Sequence, residues 1–163
     1  MNENPYFLKP FSWAEPNEEE IQIITDLIGK RPQGEFTFAV RNKNGSPLVI
    51  ENSPFFYDGT PMPTRYWLVD PELVAKVSRI ESTGGVKQVQ LEIDFETIQN
   101  IHDSHEMLRD ELIAHDYVGP RPTGGVGGTR KGVKCLHTHL ANYLATGDDV
   151  IGKWTLDRIE SNE

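Results

Sequence analysis

Hydrophobic and polar positions alternate along this chain with two different periods, and each change of period marks an element boundary. Residues 1–16 mix Pro, aromatic and polar groups without a period and read as an extended arm. Asn17 then precedes Glu18, Glu19 and Glu20, a capping side chain followed by the acids that suit a helix N-terminus. Ile21, Ile24 and Ile28 repeat at helical spacing, and Arg31-Pro32 is expected to end that helix. The period next drops to two: Phe36, Phe38 and Val40 alternate with Glu35, Thr37, Ala39 and Arg41, as in a strand with one buried face. Asn42-Lys43-Asn44-Gly45 is a turn, Leu48 to Ile50 a return strand, and Arg65 to Val69 a third strand.

Helical periodicity returns at Asp70-Pro71-Glu72, which combines a cap, a proline at the first helical position and an acid. Leu73, Val77 and Ile80 supply its inner stripe, and Gly84-Gly85 stops it. Val86 to Ile93 fits either period and is read as helix. Asp94 caps a long helix expected to run from Phe95 to about His115, with Ile98, Ile101, His105, Leu108 and Leu112 facing inward. A Gly/Pro-rich loop leads to a helix expected over Lys131–Ala145, and Asp148 or Asp149 caps a last one carrying Ile151, Trp154 and Ile159. The expected fold is α+β: an antiparallel sheet of about three strands packed with four to six helices, one domain over 17–163 preceded by the arm.

Composition narrows the function classes. A chain of 163 residues suits one core. A formal net charge of -9 argues against a nucleic-acid partner, which requires a basic face. No apolar run reaches the roughly 20 residues needed to span a bilayer, and the start lacks a signal peptide's basic end. A cytoplasmic protein is expected. With a single Cys there is no internal disulfide.

Against that acidic background, Tyr117 to Gly147 carries no Asp or Glu but holds Arg121, Arg130, Lys131, Lys134, Cys135, His137 and His139. Glycines leading into a helix can turn backbone N–H groups towards an anion, although the same run also reads as a flexible linker. Placed inside a helix, Cys135 and His139 share a face at i,i+4, while His137 points roughly 200° away. On that placement they do not converge on a metal; C-x-x-C and H-E-x-x-H patterns are lacking, and neither metal nor cofactor is expected. Cys135 beside basic residues suits a nucleophile, or is inert packing. His105 and Arg109 on the long helix are either core groups or one wall of a cleft. Arg65, Tyr66 and Trp67, in a Pro-rigidified segment, either pack or line a pocket.

DGTPMPTRYWLVDPELVAKVSRIESTGG, HEMLRDE and GVKCLHTHLANYLA together resemble a bacterial, mainly actinobacterial family catalogued as a domain of unknown function, number 501. The resemblance covers roughly Phe36 to Ile159 and implies gene neighbours for septum formation and an exopolyphosphatase-type enzyme. It implies no established activity. Relatives carry cysteines near the Asn42–Gly45 turn and at position 70, where this chain has Asp70; a metal or redox site built on those is not intact here.

The resulting expectation is a cytoplasmic domain with an anion-binding cleft for a phosphorylated or nucleotide-like compound. Arg65, Arg79, Arg109, Arg130, Lys131 and Lys134 would hold the anion, and His105, Cys135 and His137 would act as catalytic groups. The alternative is a non-catalytic regulatory or interaction module, linked to cell division or polyphosphate metabolism, which docks a protein partner or a second copy.

Overall fold

A computed structural model describes residues 3–163. Six α-helices and one three-stranded antiparallel sheet form among the described residues, so the fold is α+β. The order is α1 (Glu18–Ile28), β1 (Gly34–Arg41), β2 (Pro47–Phe56), β3 (Tyr66–Leu68), α2 (Pro71–Ser82), α3 (Gly85–Glu92), α4 (Phe95–Asp110), a 3-10 turn at Val126–Gly128, α5 (Leu136–Thr146) and α6 (Val150–Ser161).

Local chemistry accounts for most of these starts. Asn17 and Glu20 form a reciprocal capping box on α1. Asp70, Asp94 and Asp149 accept backbone N–H groups at the starts of α2, α4 and α6. Helix α1 stops at Ile28, before the expected Arg31-Pro32, because Gly29 takes the left-handed cap conformation at φ 83°.

The sheet has the order β1-β2-β3, with Phe38 opposite Ile50 and Ile50 opposite Trp67. One face packs Phe36, Ile50 and Val69 against Ile24 of α1. The other gives Val49, Tyr66 and Leu68 to the main core, where Val77, Ile80, Leu136, Leu140 and Ile151 close over them. Each of these fully buried aliphatic side chains stabilises the fold by about 1.5–3 kcal/mol. Helix α5 is central: it touches β3, α2 and α6. Close approach to α6 is possible because Gly152 has no Cβ to meet the His139 carbonyl.

The arm folds back on the domain. Phe7 is buried and bridges Ile113, Leu8 N–H donates to the Leu112 carbonyl, and Ala114 N–H donates to the Tyr6 carbonyl. Lys9 Nζ sits 2.7 Å from Glu15, 2.8 Å from the buried Glu35 and 3.1 Å from Glu3, which clasps the arm to β1. This pairing is one reason α4 ends at Asp110 rather than near His115: Leu112 and Ile113 turn to face the arm. No helix among the described residues is long and apolar enough to cross a membrane.

Two helix registers differ from the expected ones, and both matter for function. The buried positions of α4 are Ile98, His102, His105 and Arg109, while Leu108 is exposed. Helix α5 begins at Leu136, not Lys131, and Cys135 is its N-cap in extended conformation (φ -142°, ψ 116°).

Candidate functional site

Two buried polar side chains of α4, Arg109 and His102, hold the glycine loop in place. Arg109 is 1% exposed. It donates to the carbonyls of Gly124 (2.9 Å), Pro63 (3.3 Å) and Pro122 (3.4 Å) and to Asp110 Oδ1. Its donors are therefore committed to loop carbonyls and to Asp110, and the expected anion grip at this position is instead an internal latch. His102 is held on both nitrogens: Nε2 donates to the Gly132 carbonyl at 2.7 Å and Nδ1 accepts from Val126 N–H at 3.1 Å. A Cβ at Gly125 would collide with His102, so this loop is a packed element and not a flexible linker.

The remaining cations expected at one cleft are dispersed. Arg65 makes two 2.9 Å contacts with Glu51 Oε2 and lies 5.0 Å from the Tyr66 ring centre. Arg79 borders a groove of about 340 Å³ between α2 and the end of α6, beside Lys76, Thr83 and Asn162. Arg130 borders a separate depression of about 250 Å³, shared with Asp103 and Glu106. Lys131 and Lys134 are exposed on the segment before α5. Among the described residues Arg109 is buried against loop carbonyls while Lys134 is exposed, so the two do not line one hollow.

What the fold does bring together is Cys135, His137 and Glu81. Cys135 Sγ lies 3.7 Å from His137 Nδ1, and Glu81 Oε1 lies 3.3 Å from the same nitrogen. One ligand atom from each of the three falls within 4.8 Å of the others. The expectation that Cys135 and His137 diverge assumed both inside the helix. As an N-cap, Cys135 leaves the helical spiral, and its side chain swings back over the first turn. Glu81 comes from α2, a partner for which sequence spacing offered no signal.

Each group is fixed from behind. The other oxygen of Glu81, Oε2, accepts Leu136 N–H at 2.7 Å. His137 Nε2 lies 3.2 Å from the Val74 carbonyl and 3.1 Å from Ser78 Oγ. Ser78 Oγ–H itself donates to Val74 O at 2.8 Å. A carbonyl can only accept, so Nε2 carries a proton; in the neutral ring Nδ1 faces Cys135 and Glu81 with its lone pair, and in the charged ring it donates to them. Burial pushes the Cys135 thiol up, but hydrogen bonds from His137 and the Thr138 backbone N–H outweigh it and hold the thiol below its usual value. His137 is raised, chiefly by its hydrogen bond to Cys135 and, against burial, by the Glu81 charge.

The family model described as "Protein of unknown function (DUF501)" matches residues 38–157. The chain belongs to this family. The matched DUF501 region contains all of Glu81, Cys135 and His137 and the latch formed by Arg109, whereas Lys9, Glu15 and Glu35 of the arm clasp fall outside it. Neither the curated proteins nor the solved structures contain a match to the chain.

His105 belongs to a different, buried network. Its Nδ1 lies 3.3 Å from Asn142 Oδ1; Asn142 Nδ2 donates to Asp149 Oδ2 at 3.0 Å, and His139 Nδ1 contacts that same oxygen at 2.8 Å. No contact joins His105 to Cys135 or His137, so the three groups expected to act together form two sites. Sequence reading set His139 beside Cys135 and gave Asp149 only a capping role; their meeting with Asn142 and His105 was not foreseen.

Proposed function

We propose that this protein binds a zinc-class divalent metal through Glu81, Cys135 and His137, with a coordination position left for water or a small anion. The observation that carries the reading is convergence on one point. In a nucleophilic Cys–His–acid triad, thiol and carboxylate sit on opposite ring nitrogens. Here both face Nδ1, while Nε2–H is held by the Val74 carbonyl. Tetrahedral zinc with ordinary bond lengths gives an N···O edge of about 3.4 Å and an N···S edge of about 3.6 Å. The observed spacings are 3.3 Å and 3.7 Å. An outer carbonyl on the ligating histidine and an N–H on the ligating carboxylate are the usual supports of such a centre.

Three protein ligands and an open fourth position are the arrangement of a zinc ion that polarises water or takes an anionic ligand. Anion binding thus remains part of the reading, through a metal and the neighbouring exposed Lys134 rather than through Arg109. Zinc analysis of the chain, purified without chelator or histidine tag, tests this. About one ion per chain is expected, lost in Cys135→Ala and reduced in Glu81→Gln. Metal-free protein that takes up no zinc on dialysis overturns it.

A second reading is favoured by the tautomer of His137. With Nε2–H fixed, Nδ1 is free to accept the Cys135 proton, and the metal-free pair is a reactive thiol. Alkylation of Cys135 that is unaffected by zinc would favour this second reading over the first.

A further inference from the structure

His105 is 6% exposed, and its Nε2 is buried with no protein hydrogen-bond partner. Its tautomer is set from the other side. Asn142 is oriented by Asp149, which accepts its amide N–H and leaves the amide oxygen facing His105 Nδ1. Asp149 is itself fixed by the Ile151 and Gly152 N–H groups at 3.0 Å each. The proton therefore sits on Nδ1, and Nε2 is a bare acceptor. A buried acceptor without a donor costs free energy, so its retention calls for an occupant that donates.

Beside this imidazole lies a small cavity of about 40 Å³, bordered also by Tyr66, Ile101, Ser104, Asn142 and Thr146. At roughly 10–15 Å³ per water-sized group, it holds about three such groups. The charge around it selects the occupant. Arg65 at its border and the Arg109 charge acting on His105 disfavour a cation, and the Nε2 lone pair together with Asp148, also at the border, disfavours an anion. Ser104 and Thr146 add hydroxyls, and Ile101 and Tyr66 give an apolar wall.

We propose that His105 and this cavity form a binding site for a small uncharged hydroxyl compound, such as the end of a polyol, whose O–H donates to His105 Nε2. The site is separate from the metal centre and does not depend on it. The probe is ethylene glycol, with glycerol as a larger comparison, added to the full chain and followed by long-range proton–nitrogen spectra of the histidine rings. The expected result is a Nδ1–H tautomer for His105 and a saturable shift of its Nε2 resonance. Ser104→Ala should weaken the diol about fivefold while the tautomer persists. Asn142→Leu should lose the tautomer preference; if that variant does not fold, Ser104→Ala still decides the matter. A His105 Nε2 that carries the proton overturns the proposal. So does a shift that stays linear with diol concentration, or a long-lived water at Nε2 that diol does not displace.

Discussion

Cys135 Sγ and His137 Nδ1 lie 3.7 Å apart although the two residues are separated by only one position, because Cys135 caps α5 from outside the helix. Two residues apart inside a helix, the same side chains would point to opposite sides. The candidate centre exists only because the helix starts one residue after the cysteine.

Metal should protect this thiol. Alkylation of Cys135 is expected to slow at least tenfold when zinc is added in modest excess, and to recover on chelation. Zinc should also raise stability by mass action, by about 2.7 kcal/mol at a free concentration one hundred times the dissociation constant. Thermal melts of wild type and Cys135→Ser, with and without zinc, read both effects; equal shifts in the two proteins would place the metal elsewhere.

The Arg109 latch leads to a stability prediction rather than a ligand one. Arg109→Met leaves the Gly124, Pro63 and Pro122 carbonyls without these donors in a buried place and should cost about 3 kcal/mol or more. Urea unfolding measures it. Phosphate should not selectively stabilise wild type over a folded Arg109→Lys variant; if it does, Arg109 reaches an anion after all.

Much of the frame could be read in the sequence where a side chain announces its job. Asn17, Asp70 and Asp94 each precede an acid or a proline and then a helical stripe, and each caps the helix expected of it. The start of α5 carried no such sign: Cys135 makes no side-chain cap bond, and Gly132, whose left-handed φ of 68° keeps the preceding residues out of the helix, is one glycine among several in that loop. The inner face of α4 was misplaced because apolar spacing pointed to Leu108 while the chain buries His102 and Arg109 against loop carbonyls. Periodicity detects apolar burial and is blind to polar groups whose partners are backbone oxygens far along the chain. Glu81 was invisible for a related reason, since only the packing of α2 on α5 brings it to His137.

Acid should destabilise the fold through His105. Burial lowers this imidazole, against its hydrogen bond to Asn142, and the Arg109 and Arg65 charges lower it further, to about 4. The Asp149 charge opposes the shift. The unfolded chain then binds a proton near pH 6.5 that the folded chain does not accept until about pH 4. Stability from this group is full above pH 6.5 and falls as pH drops towards 4, by about 3 kcal/mol in all. His102, lowered chiefly by burial, acts in the same direction. Denaturant midpoints between pH 7 and pH 4 should show a steeper loss in wild type than in His105→Gln; identical slopes would remove His105 as the cause.

Asp149 joins two helices, since it caps α6 and receives both His139 and Asn142 of α5. Asp149→Ala should cost about 3 kcal/mol or more, and Asp149→Asn less, because the amide keeps one acceptor. Equilibrium unfolding distinguishes them, and equal losses would mean that the cap contributes little beyond charge.

The most direct measurement is cobalt(II) titration of the metal-free chain, followed by absorbance. Thiolate and imidazole ligation is expected to give a sulfur-to-cobalt charge-transfer band that saturates at one equivalent, accompanied by the visible bands of a tetrahedral ion. Cys135→Ser should abolish the charge-transfer band, His137→Ala should weaken binding, and zinc should displace the cobalt. A spectrum that stays that of aqueous cobalt throughout would contradict a metal centre at Glu81, Cys135 and His137.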